Sequence, residues 1–234
     1  MHQCCYPSKL LLMVTVSSVK SKSKAPHRND FPRPVDHVLL AGGLPCLDFV
    51  NTVHDRHATV VEDYLSDVPR YLAWSVRAGL LTNAERLELD QSPPPQRVLA
   101  EVRKLREQIF SLLCEIIDGV KASKISPDQL DIWIHRGWND LEFDPAADDC
   151  VSWKPGALNT YLPLKRVALS TLAFMQNLEP ERLKRCAAKG ECGWLFYDYS
   201  KNNRRRWCAM RTCGAIAKMR RYRRRPNNQS KVKP

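Results

Sequence analysis

No stretch of this 234-residue chain is apolar for long enough to span a bilayer. The run Leu10–Val16 (LLLMVTV) is too short, has no basic segment ahead of it and is followed by KSKSKAPHR instead of a small-x-small cleavage pattern. An export signal and a membrane partner are therefore not expected. Glycine is sparse at nine residues, and none of them builds a glycine-rich phosphate loop, which excludes the common nucleotide-binding loops. His54 and His57 flank Asp55 without a nucleophile in a partner pattern, so they read as loop histidines and the chain is not expected to be an enzyme. The cysteine count is odd, nine, and Cys4, Cys5, Cys46, Cys114 and Cys150 lie scattered. That argues against a disulfide framework and for reduced thiols in a cytoplasmic setting.

Acidic residues are nearly missing from one end. Residues 181–234 hold 17 Lys/Arg against 3 Asp/Glu, whereas the other 180 residues hold 20 basic and 22 acidic side chains. The net charge of +12 thus belongs to a C-terminal segment suited to a polyanion. A solvated solubility tail is the plainer reading of such a run, but four clustered cysteines weigh against it. Cys186, Cys192, Cys208 and Cys213 read C-x5-C-x15-C-x4-C, two close pairs able to supply four thiolates to one tetrahedral ion. A single structural Zn2+ is expected, because four thiolates leave no position for water or substrate. The first spacing is slightly longer than the usual two to four residues.

Between the pairs, GWLFYDYS (193–200) has strand character, and KNNRRRW returns the chain to Cys208 as a basic turn. After Cys213, Gly214 permits a departure into a helix on which Ile216, Met219 and Tyr222 recur every third residue and are expected to pack on the metal core. Arg204, Arg205, Arg206, Arg211, Lys218, Arg220, Arg221 and Arg224 are the candidate nucleic-acid contacts, with double-stranded DNA the first partner to consider. Trp194, Tyr197, Tyr199 and Trp207 offer stacking surfaces, which keeps RNA and single strands open.

The remainder reads as mainly helical with a small β element, an α+β class overall. Helices are expected around 71–80, over 97–119, over 126–134 and over 161–178, with a hairpin in 141–154 and a break at SPPP (92–95). Asp48, Asn51 and Thr52 share one face at helical spacing amid apolar neighbours, and burial would cost each of them unless partnered. They are candidates for a small-molecule effector site, with Arg56 able to pair Asp48 or an anionic ligand; capping or backbone bonding inside the fold is the alternative. An N-terminal domain that turns over a small molecule is a rival reading, which loss of activity on Asp48→Ala with folding intact would support. The expected organisation is a disordered extension over 1–34, a domain over 35–180, a zinc module of strand, turn and helix over 181–225, and a disordered tail over 226–234.

The segment RCAAKGECGWLFYDYSKNNRRRWCAMRTCG resembles the CGNR zinc-finger family, and LPCLDFVNTV followed by AWSVRAGLL resembles the ABATE domain that accompanies it. The two resemblances cover most of residues 37–225. They imply a DNA-binding, stress-induced transcriptional regulator with zinc on Cys186, Cys192, Cys208 and Cys213. The chain departs at the family's last motif: Cys213-Gly214 is followed by Ala215-Ile216 where asparagine and arginine are usual. The metal site does not need those two, so altered base preference is the expected consequence.

Overall fold

A computed structural model describes residues 34–35, 38–54, 56, 61–91, 95, 97–120, 128–144, 152–188 and 192–223. The expected break at 92–95, the start of the 126–134 helix and the extension 1–34 fall largely outside these residues, as do the tail 226–234, His57 and Arg224. No helix among the described residues is long and apolar enough to cross a membrane.

The organising element is a helix (α4, Val98–Ile117) laid through the centre. Val98, Val102, Leu105, Ile109 and Leu113 recur on one face and are fully buried. Burying each aliphatic side chain of this kind contributes about 1.5–3 kcal/mol, which is what holds so long a helix in place. Gly119, at φ 66, ends it in the left-handed conformation. Against α4 pack a six-residue helix (α1, Pro45–Val50), α5 (Asp128–Asn139) and α6 (Leu162–Gln176), and α2 (Val68–Arg77) joins the same apolar cluster. The Asp67 side chain caps α2 by accepting from Arg70 N at 2.8 Å, and Gly79 at φ 71 follows its end. Phe49 of α1 meets Trp74 of α2 with ring centroids 5.6 Å apart.

Two elements were not anticipated. Helix α3 (Asn83–Asp90) buries Leu89 and stands on a reciprocal capping box between Thr82 and Glu85. A short strand, β3 (Leu183–Arg185), pairs antiparallel with β4 (Leu195–Tyr197) in the register Leu183↔Tyr197, Lys184↔Phe196, Arg185↔Leu195. The expected hairpin is present as β1 (Leu141–Asp144) against β2 (Ser152–Pro155), and α5 runs five residues past its expected end. The last helix, α7 (Ala215–Arg223), follows a π-type turn over Met210–Gly214, closed by Gly214 N donating to Ala209 O at 3.1 Å.

The C-terminal strands are part of the main core. Leu183, Leu195 and Tyr197 lie in the same apolar cluster as α1, α2, α4 and α6. Tyr197 stands edge-on to Phe174 of α6 at 5.5 Å, and the Arg185 guanidinium holds the Asp118 carboxylate at the end of α4.

Candidate metal centre and nucleic-acid interface

The four cysteines come from four places. Cys186 directly follows β3, and its amide donates to Trp194 O at 2.9 Å, extending the β3–β4 ladder. Cys192 precedes β4, Cys208 follows the basic turn, and Cys213 sits inside the π turn, so the helical segment begins before the fourth cysteine and carries it. The four Sγ atoms lie within 4.8 Å of one another. Sγ of Cys208 is 3.7 Å from both Cys192 Sγ and Cys213 Sγ. A tetrahedron with Zn–S of about 2.3 Å has edges of about 3.8 Å, so the two 3.7 Å pairs already stand at the spacing zinc requires. The Cys208 amide points at Cys186 Sγ at 3.4 Å, adding a donor to a thiolate that would otherwise be charged and partly desolvated. Hydrogen bonds from the thiols of Cys192, Cys208 and Cys213 push the Cys186 thiol well below its ordinary range, while proximity to Cys186 pushes Cys192 and Cys208 up. A divalent cation would stabilise the four thiolates together, which is the chemistry of a closed structural site.

The shell of the site is shared with the first part of the chain. Val38, Ala41 and Tyr64 form one apolar cluster with Cys186, Cys192, Trp194, Phe196 and Cys208. Trp194 Nε1 donates to Val53 O at 2.9 Å. Gly42 lets the segment before α1 fold back onto that helix: a Cβ there would lie 2.5 Å from Leu47 Cβ and 2.9 Å from Asp48 N.

The polar residues nominated for an effector are bonded to the chain itself. Asp48 accepts from Gly42 N at 2.8 Å; burial raises its carboxyl to about 7, against the lowering pull of the Gly42 and Ala41 amides and of Arg77. Asn51 caps α1 and faces β4 like a strand: its Nδ2 donates to Leu195 O and its Oδ1 accepts from Leu195 N, each at 2.8 Å. Thr52 Oγ1 donates to Phe49 O at 2.7 Å and accepts from Arg106 at 3.1 Å. Because α1 ends at Val50, Asn51 and Thr52 follow the helix and do not lie on its face. Arg56 pairs with Glu107, not Asp48; it also donates to Val50 O and lies 3.9 Å from the Phe110 ring centroid.

The basic turn separates into two roles. Arg204 and Arg206 are exposed, and the Arg206 guanidinium sits 5.3 Å from the Trp207 ring centroid. Arg205 turns inward and donates to the carbonyls of Trp207, Tyr197, Ala41 and Cys208, with its guanidinium 4.3 Å from the Phe196 ring centroid. The turn between them is fixed by Asn203, at φ 47, and by the fully buried Asp198. Asp198 accepts from Lys184 Nζ, Arg205 N and Ser200 N at 2.7, 2.7 and 2.9 Å. Burial opposes its charge, but those donors outweigh it and hold the carboxyl far below the usual aspartate range. Sequence reasoning missed both Asp198 and the inward arginine.

Arg211, Lys218, Arg220 and Arg221 are exposed on the π turn and α7, and Arg223 joins them. Arg224 lies outside the described residues. Of the four aromatics, Trp194 and Tyr197 are buried and Trp207 is half-buried; Tyr199 is exposed and rests edge-on against Tyr197 at 4.8 Å. Ile216, Met219 and Tyr222, expected to pack α7 onto the metal core, are instead exposed, because no other element among the described residues reaches that face.

Comparison with known proteins agrees with this geometry. The CGNR zinc finger family matches residues 182–226, which hold all four cysteines and the exposed arginines. The ABATE family, described as "putative stress-induced transcription regulator", matches residues 43–174, more than half of the chain. Among curated proteins, none matches the chain.

Proposed function

The chain belongs to the ABATE family and carries a CGNR zinc finger, and from this we propose that it is a zinc-dependent transcription regulator that binds double-stranded DNA. The observation that carries the reading is the placement of Cys213. It sits on the helical turn that leads directly into α7, so the metal that closes the cluster also fixes the direction of a helix bearing Lys218, Arg220, Arg221 and Arg223. No acidic residue interrupts the chain from Asp198 to Arg223. Phosphates answer that distribution of charge, and binding through them releases counterions and weakens steeply with salt.

In this mechanism zinc does no chemistry on a substrate. Its ligation is folding free energy for the segment 186–214. Arg205 and Asp198 hold the basic turn so that Arg204 and Arg206 face outward. The helical domain holds β4 through Asn51 and Trp194, so it acts as the rigid mount of the finger. A stress signal, in this reading, acts on DNA binding through that shared core.

The test is selection of genomic fragments by the zinc-loaded protein at physiological salt with excess non-specific competitor. A shared duplex sequence, lost when Arg206, Arg220 and Arg221 are changed to alanine, supports the proposal. Enrichment of single-stranded RNA over duplex under the same conditions would contradict it.

A further inference from the structure

Helix α7 has a property that phosphate attraction alone does not call for. Ile216, Met219 and Tyr222 are 37%, 56% and 76% exposed, and none of the helix's residues is buried. At 3.6 residues per turn, residues three apart fall within an arc of about 120° over this length, so the three make one apolar stripe. Lys218 and Arg220 stand about 100° to either side of the stripe's centre, one on each flank, and Arg223 closes its far end. Water-facing apolar side chains at this density mark a contact surface and not a solubility device.

The occupant must be apolar along its middle and anionic along both edges. A helix that lies on a lipid surface needs a strongly apolar face, and three side chains, with Arg223 at the end of their stripe, supply little of it on this mostly basic helix. The major groove of duplex DNA has the required cross-section: phosphates on both rims, and thymine C5 methyl groups as the apolar features of its floor. A helix with its side chains is about 10–12 Å across and the groove about 12 Å wide, so α7 fits with its stripe on the base edges and its flanking cations at the phosphates.

We infer that Ile216, Met219 and Tyr222 form the base-reading face of the finger and select thymine-bearing major groove by apolar contact with the C5 methyl, with Lys218 and Arg220 clamping the two backbones. This inference rests on the proposal that the chain binds duplex DNA, and it adds which side chains read sequence and what they read.

The experiment uses the zinc-loaded full chain and two short duplexes of the same alternating A·T sequence. One contains thymine; in the other every thymine is replaced by uracil, which removes only the methyl groups. The thymine duplex is expected to bind tighter by about fourfold for each methyl buried. In the variant Ile216→Ala/Met219→Ala/Tyr222→Ala, whose substitutions lie on the exposed face and keep helix propensity, the preference should vanish while the salt slope stays unchanged. Equal, salt-sensitive affinity for both duplexes in the wild type would overturn the inference and leave DNA binding standing. A thymine preference that survives in the variant would also overturn it. Unchanged duplex affinity in the variant, together with lost binding to phosphatidylserine vesicles, would assign the stripe to a lipid surface and overturn it too. Binding to neither duplex at low salt would overturn the inference together with the reading it rests on.

Discussion

Replacing Asn51 by alanine should cost far more than a single side chain at the end of a six-residue helix suggests. The Asn51 amide is 1% exposed and satisfies both backbone groups of Leu195, itself fully buried, through two 2.8 Å hydrogen bonds. Asn51→Ala leaves a buried N–H and a buried C=O without those partners. Each such orphan costs about 1–3 kcal/mol, so a total loss of about 2–4 kcal/mol is expected once partial relaxation is allowed. Since Leu195 lies between Cys192 and the main core, the loss should appear twice: as a lower midpoint in urea denaturation followed by tryptophan fluorescence, and as faster zinc release to a competing chelator. A variant that unfolds earlier but releases zinc at the wild-type rate would refute the argument that the finger and the helical domain share one core. So would a change in stability under about 0.5 kcal/mol, the ordinary range for surface substitutions.

Neighbouring arginines should respond in opposite ways. Arg205→Ala removes a guanidinium that ties four carbonyls together and should lower the melting temperature, whereas Arg206→Ala should leave it within experimental scatter and lower duplex affinity. If Arg206 meets one phosphate, the slope of log affinity against log salt falls by about 0.9. The two buried aspartates predict opposing pH trends. Asp48, with its carboxyl raised to about 7, takes up a proton on folding, so its contribution to stability falls as pH rises from about 4 to 7, and Asp48→Asn should flatten that limb of a stability–pH curve. Asp198 is depressed, so its stabilisation is complete at neutral pH and is withdrawn as pH falls below about 4 towards its folded value; Asp198→Asn should remove this acid sensitivity at a cost of at least about 1 kcal/mol.

What the sequence made legible was what local spacing determines. The cysteine cluster, α4 with its apolar repeat and the β1–β2 hairpin all lie within short windows whose period or punctuation is independent of the rest of the chain. Helix α3 buries a single residue, Leu89, so it has no periodicity to detect, although its T-x-x-E capping box was present as a signal. Strand β3 reads Leu-Lys-Arg, and its strand character comes from pairing with β4, not from its own propensity. The bond between Asn51 and Leu195 spans 144 residues and has no local signature. Within Arg204–Arg206 the three side chains are identical in type; which one turns inward is decided by the bend at Asn203 and the carboxylate of Asp198. The spacing of Ile216, Met219 and Tyr222 was read correctly as one face, but spacing does not say whether another element arrives to cover it.

The most direct measurement of the central claim is duplex affinity across a range of salt concentrations, taken on the same preparation before and after zinc is removed under reducing conditions. The account predicts a steep linear fall of log affinity with log salt for the loaded protein, and a markedly weaker, shallower dependence once the metal is gone and α7 loses its anchor at Cys213. An unchanged slope and affinity without zinc would mean that the basic residues act as an unstructured tail, and would contradict the metal-organised interface.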